Sequence, residues 1–361
     1  MTADRIAILL HDFASGGSER IAIRLANAWA RKGRSVTLIL GNPEGVLRTM
    51  VDDAVAVIAA DPVVKRGWSM RLRLARRLPA LVAAARPQLL FVPDNYHFPI
   101  AARLARRRER PAIVAKLSNS VTRQGRSRLA QILFDAGLRL RLGRVDAVVA
   151  MSPALAAEAE VVLGQGSVIA ISQPSLPDEA PPQAPTVAAP VIVAAGRFVA
   201  QKRFDRLLDS MARLATRDAR LTLLGDGPAR AALSARARRL GLVGRVTMPG
   251  HVDDVRGAFD SARLCVISSD YEGYPAVAIE ALAAGVPVVA TDCSPAIREI
   301  LTDSILGTIV PTGDDAALAA AIDARLSCPP AERAVLAEAV ADHRIGPIAG
   351  DYLALFDRLV R

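Results

Sequence analysis

Short apolar runs alternate along the chain with longer segments whose apolar residues recur every three or four positions. That alternation predicts βαβ units, in which parallel strands buried on both faces are joined by covering helices. Strands are predicted at 5–10 (RIAILL), 35–40 (SVTLIL), 55–59, 89–92, 112–117 and 145–150. "SQPSLPDEAPPQAPTVAAP" (172–190) then crowds prolines into a stretch without a period, which reads as a linker. A second series follows at 191–195 (VIVAA), 220–224 (RLTLL), 245–248, 263–267, 286–290 and 307–310. "IAGDYLALFDRLV" (348–360) has the spacing of an amphipathic helix. The expected organisation is a Rossmann-like domain over 1–172, a linker over 173–190 and a second such domain over 191–344. A terminal helix within 345–361 is expected to pack back on the first. Ligands of such sheets bind beyond the carboxyl ends of the strands, so a cleft between two facing domains is the expected site.

A length of 361 residues suits two domains of about 150–180 residues each. Aromatics are only 4% of the chain, so Ala, Leu and Val must do most of the packing. No apolar run approaches the ~18–20 residues of a membrane span. The opening "RIAILLHDF" lacks a signal-peptide cleavage region, so the expected location is cytoplasmic. Cys265, Cys293 and Cys328 are too widely spaced for a disulfide framework or a zinc site, and read as small buried hydrophobes.

Charge changes the picture more. Residues 1–180 hold 26 Lys+Arg against 15 Asp+Glu, whereas 181–361 hold 20 against 21. The whole excess of positive charge therefore lies in the first half, concentrated in 65–77, 103–110 and 123–144. A basic half implies an anionic neighbour: nucleic acid, acidic lipid or a phosphorylated substrate. The aromatic–basic interleaving of a base-stacking platform is missing, which argues against nucleic acid. Trp68, Met70, Leu72 and Leu74 alternate with Arg71 and Arg73, which suits an anionic membrane surface on the inner face of the cytoplasmic membrane. Since 42 of the 46 basic residues are Arg, ordinary solvated helix faces account for part of the pattern.

Three stretches carry chemistry. In "HDFASGGSERIAIRLANAWARKG" (11–33), a strand end leads through Gly16-Gly17 into a helix. Adjacent glycines let backbone N–H groups approach a ligand at a helix N-terminus that favours negative charge. The spacing is not Gly-x-Gly-x-x-Gly, so a nicotinamide dinucleotide is not indicated. In "VIVAAGRFVAQKRFDRLLDSMARL" (191–214), Arg197 and Lys202 follow a strand directly. A forked and a compact cation at a strand's carboxyl end suit a diphosphate. In "SSDYEGYPAVAIEALAAGVPVVATDC" (268–293), Glu272 precedes a helix opened by Pro275 and stopped by Gly285, and Glu280 lies inside that helix among apolar neighbours. Ionised burial is costly there unless ligand hydroxyls satisfy the carboxylate. Carboxylates accept hydrogen bonds in pairs from vicinal hydroxyls, so one glutamate suits a ribose and the other a hexose.

With these motifs in this order, the chain resembles the retaining GT-B glycosyltransferases of glycosyltransferase family four. The resemblance is strongest over 191–312, through "GRFVAQKRFDRLL", "LTLLGDGPARAAL", "VTMPGHVDDV" and the Glu-x7-Glu stretch. It implies a nucleotide-sugar site in which Arg197 and Lys202 hold the donor diphosphate and Glu280 binds the ribose. Glu272, with the backbone around Gly273, Tyr274 and Pro275, would orient the sugar. His251 and Val252 lie where the family's base-binding loop runs, and Gly16 and Gly17 would approach the donor from the first domain. No Asp-x-Asp motif is apparent, so the resemblance implies metal-independent transfer without a cofactor, from a UDP- or GDP-linked donor.

One position departs from the family. Many members carry a histidine in the stretch matching "VAKLSNS" (114–120), where this chain has Ser118 followed by Asn119. His97, beside Tyr96 and Phe98, is the other acceptor-side candidate. The function implied is transfer of a hexose, with retention, to a hydroxyl of a cell-envelope glycan or glycolipid. Two rivals stay open: a nucleotide-sugar epimerase and a catalytically silent sugar-nucleotide-binding partner. Donor turnover separates the enzymes from the silent binder.

Overall fold

The computed structural model describes residues 2–14, 16–122, 126–178, 190–252 and 255–360. It divides into two compact units: Met1–Pro177 with Arg344–Arg361, and Asp178–His343. Residues 179–189 of the predicted linker lie outside the described residues.

The first unit is a seven-stranded parallel sheet of β1 (Arg5–Leu10), β2 (Ser35–Leu40), β3 (Val55–Ala59), β4 (Leu89–Val92), β5 (Ala112–Lys116), β6 (Ala147–Ala150) and β7 (Val168–Ala170). The order is β3-β2-β1-β4-β5-β6-β7. Ile6 pairs with Val36 on one side and Leu89 on the other, which puts β1 in the interior of the sheet, beside the central β4. The sequence pattern does not predict β7. It is three residues long, follows two glycines and closes the sheet edge, so it lacks the long apolar run of a central strand.

Helix Gly17–Arg31 and the terminal helix Ile345–Leu359 are parts of one core. Trp29 packs edge-on against Phe91, Tyr352 and Phe356 at centroid distances of 5.5, 5.9 and 5.0 Å. Its indole N–H donates to the Ala349 carbonyl at 3.1 Å. Each such aromatic pair contributes about 0.5–1.5 kcal/mol beyond area burial. The chain re-enters this unit at Arg344, where the Ile345 N–H donates to the Leu176 carbonyl at 3.0 Å.

The second unit is a six-stranded parallel sheet of β8 (Val191–Ala195), β9 (Arg220–Leu224), β10 (Val246–Gly250), β11 (Leu264–Ile267), β12 (Val288–Thr291) and β13 (Gly307–Val310). Its order is β10-β9-β8-β11-β12-β13. In both units the winding reverses beside the first strand, between β1 and β4 and between β8 and β11. Loops leaving those neighbouring strands diverge, and ligands of doubly wound sheets settle in the gap.

Candidate active site

In the second unit the loop after β8 carries Arg197 and Lys202, and the loop after β11 carries Glu272. These strands are neighbours, with Ile192 opposite Leu264. The loops are stitched together by the Gln201 amide on the Tyr271 carbonyl (2.8 Å), the Asp270 N–H on the Gln201 carbonyl (2.9 Å) and the Ser268 hydroxyl on the Lys202 carbonyl (2.9 Å). The result is a Lys202 ammonium donating to Glu272 Oε1 at 2.6 Å. The same oxygen accepts the Ser269 hydroxyl, also at 2.6 Å, and the Glu272 N–H donates to the Cys293 carbonyl at 2.7 Å. Gly225 is required beneath: its φ is +133°, and a Cβ there would stand 2.0 Å from the Gly196 carbonyl oxygen. Arg197 is exposed and makes no ion pair among the described residues.

Glu280 corrects an expectation. It lies in helix Ala276–Ala283, but it is only half-buried. Ala276, Val277, Ala283 and Ala284 share its partly exposed stripe, so small apolar side chains mask a face that reads as core. The desolvation cost inferred from its neighbours is smaller than the sequence suggests. The Tyr274 hydroxyl pairs with His343 Nε2 at 2.6 Å and burial raises its pKa, which leaves the backbone of this turn, the part the resemblance implicates, as what it can offer a ligand. Pro275 has no N–H, so Gly273 and Tyr274 alone can present backbone donors in that turn. His251 is exposed and Val252 half-buried, just past β10. Of the cysteines, Cys265 and Cys293 are buried but Cys328 is exposed, against expectation.

The switch point of the first unit is more polar than the sequence suggests. Gly16 caps helix Gly17–Arg31, but the Glu19 side chain folds over it, so that a Cβ on Gly16 would lie 2.1 Å from Glu19 Oε2. Burial raises the Glu19 pKa. The expected open approach at Gly16 is thus covered, whereas Gly17 faces open space. Beyond β1, Asp12 takes both arms of Arg66 at 2.6 and 2.7 Å. Burial works against that carboxylate, but Arg66 and the Ala14 N–H hold its pKa below the usual range. His11 is buried, with neither ring nitrogen hydrogen-bonded among the described residues, and its pKa is lowered by burial.

Beyond β4, Asp94 Oδ1 accepts the Tyr96 and His97 N–H groups and lies 2.9 Å from His97 Nδ1. Among the described residues His97 Nε2 is buried without a partner, a condition that costs about 1–3 kcal/mol if no ligand meets it. Ser118 and Asn95 bond reciprocally: the Ser118 N–H to Asn95 Oδ1 (2.9 Å), and the Asn95 N–H to Ser118 Oγ (3.3 Å). Ser118 therefore ties the loops after β4 and β5 together, with the Asn119 amide resting on its hydroxyl. Lys116 is buried and donates to Gln173 Oε1 at 2.8 Å, and burial pushes its pKa down to about 8.

A family model described as Glycosyl transferases group 1 matches residues 189–327, the unit holding the Lys202–Glu272 pair. A second, described as Glycosyl transferase 4-like domain, matches residues 16–169. The chain belongs to the GT-B glycosyltransferases of group 1. Its similarity to the lipopolysaccharide core biosynthesis glycosyltransferase LpsE of Rhizobium meliloti is 28% identity over 331 residues, 87% of this chain and 86% of LpsE. Sucrose-phosphate synthase of Thermosynechococcus elongatus shares the fold, with a TM-score of 0.82 at 21% identity over 98% of both chains. So does HepE of Anabaena, solved in complex with UDP, with a TM-score of 0.76 at 18% identity over 97% of this chain and 99% of that one.

Among the buried polar groups at the strand ends of the first unit that sequence reasoning missed are Asp94 and Lys116. Asp94 had a signal in "PDNYH", an acid three residues before a histidine at a strand end. Lys116 had none, because it stands within an apolar run. Among the described residues, no group of three His, Cys, Asp or Glu is placed to hold a metal ion.

Proposed function

We propose that this glycosyltransferase moves a hexose from a UDP- or GDP-linked donor to a hydroxyl of a cell-envelope glycan or glycolipid, with retention and without a metal. The Lys202–Glu272 pair at the β8/β11 switch point carries the reading. Lys202 keeps two further N–H donors for a phosphate oxygen, and Arg197 stands exposed beside it. Together they offset the charge that grows on the diphosphate as the anomeric carbon–oxygen bond breaks. Glu272 Oε2 is left to accept a sugar hydroxyl, Glu280 takes the ribose diol, and His251 and Val252 meet the base. The acceptor oxygen bonds the anomeric carbon on the face the phosphate leaves, and its proton passes to a leaving-phosphate oxygen.

Ser118 is occupied by Asn95, which supports a route without a general base at that position. His97 and Asn119 complete the acceptor side. LpsE, by its name a lipopolysaccharide core enzyme, supports a glycolipid acceptor. The basic first half favours a protein peripheral on an anionic inner membrane face, with no nucleic-acid partner.

A thermal-shift panel of UDP-, GDP-, ADP- and dTDP-sugars, with and without a chelator, tests the donor. A ligand at 100 times its Kd stabilises by about 2.7 kcal/mol. One nucleotide class should raise Tm equally with and without chelator. If none of the four does, the donor assignment falls; a shift abolished by the chelator would overturn metal independence.

A further inference from the structure

Helix Arg128–Leu142 buries only Leu138 and Leu142. Its large apolar residues face outward instead: Leu129, Ile132, Leu133 and Leu140 are 68%, 63%, 65% and 70% exposed. At 3.6 residues per turn they fall, with Ala136, within an arc of about 100°, opposite the buried pair. Arg128 and Arg139 border this stripe on one side and Arg141 on the other, all exposed; the Arg139 Nε–H also donates to the Val162 carbonyl, which leaves its terminal nitrogens for headgroups. The helix's single acid, Asp135, is off the stripe and accepts the Gln131 amide at 2.6 Å.

We propose that this helix is a membrane-docking element, its apolar stripe lying among the acyl chains of an anionic bilayer and its arginines at the headgroups. This rests on the peripheral reading above and gives it a location. Charge decides the occupant: a second copy of the helix would set arginines against arginines, whereas acidic headgroups complement them and acyl chains complement the stripe.

The segment 65–77, the sequence's other candidate, is less suited. Met70 and Leu74 are buried, Arg71 stacks on Tyr96 at 4.0 Å, and Arg73 and Arg77 are bonded to the Lys65 and Asp61 carbonyls. Its arginines are partly committed, and only Trp68 and Leu72 remain as exposed apolar contacts.

Apolar insertion makes binding partly resistant to salt, unlike attraction that is only electrostatic. The test is co-sedimentation of the full chain with phosphatidylglycerol or phosphatidylcholine vesicles at low and high ionic strength. The comparison is with Leu129→Ser/Ile132→Ser/Leu133→Ser, whose sites are exposed and whose Tm should be unchanged. The wild type should bind the acidic vesicles and retain a fraction at high salt. The triple variant should lose that fraction, with affinity falling about tenfold or more.

No binding to acidic vesicles would overturn both this inference and the peripheral reading. Salt-sensitive binding that the triple variant keeps in full would overturn the inference alone. So would a wild-type dimer in sedimentation that the variant dissolves, since the stripe would then serve self-association. None of these outcomes depends on sugar transfer, so donor chemistry stands or falls separately.

Discussion

Replacing Lys202 by Met should lower both stability and donor affinity, whereas Arg197→Ala should lower donor affinity alone. The two cations share a loop but differ in their surroundings. Lys202 holds Glu272 at 2.6 Å, with side-chain exposures of 21% and 10%. Removing one partner of a fully buried pair costs about 3–5 kcal/mol. Lys202 is partly solvated and Glu272 keeps its Ser269 bond, so the loss should be nearer 1–2 kcal/mol. For a domain of this size that is a fall in Tm of about 2–8 °C. Arg197 is exposed and unpaired among the described residues, so its removal should change stability by less than about 0.5 kcal/mol.

Each cation lost from the diphosphate should cost roughly 1.5–3 kcal/mol of donor affinity, a factor of about 10–150. Differential scanning fluorimetry gives the first quantity and calorimetric titration of the nucleotide sugar the second. Lys202→Met/Glu272→Gln should recover most of the lost Tm and none of the lost affinity, because it removes the stranded charge without replacing the cation. An equal Tm loss in Arg197→Ala, or undiminished donor affinity in Lys202→Met, would refute this account of the loop.

The glutamates should separate kinetically: Glu280→Gln should mainly raise the donor KM, as a ribose contact is similar in ground and transition states, while Glu272→Gln should also lower kcat. Nucleoside diphosphate release measures both, and the reverse pattern would exchange their roles. Lys116→Met should stabilise the protein at pH 7 by on the order of 3 kcal/mol, because the folded Lys116 titrates at about 8 against about 10.4 in the unfolded chain. Between those values the unfolded state binds more protons, so wild-type stability rises with pH and the advantage of the variant should shrink from pH 8 to 10. Urea unfolding at stepped pH reads it, and a constant difference would place the lysine in solvent.

Local pattern was enough to place most strands and the turns that end them, because parallel strands buried on both faces leave continuous apolar runs. It also singled out Arg197, Lys202, Glu272 and Glu280 as the candidates on which the proposed function rests, since their residue types and spacings suit diphosphate and diol chemistry. It could not show that Lys202 and Glu272, seventy positions apart, are bonded, since that depends on β8 lying beside β11. Nor could it show that Glu280 is half-exposed, or that the leucines of Arg128–Leu142 face outward. An apolar residue carries no mark of which side its helix buries. Strand order and helix rotation are decided by contacts between distant segments, so the pairing at the site and the apolar stripe on the surface exist only once those segments have packed.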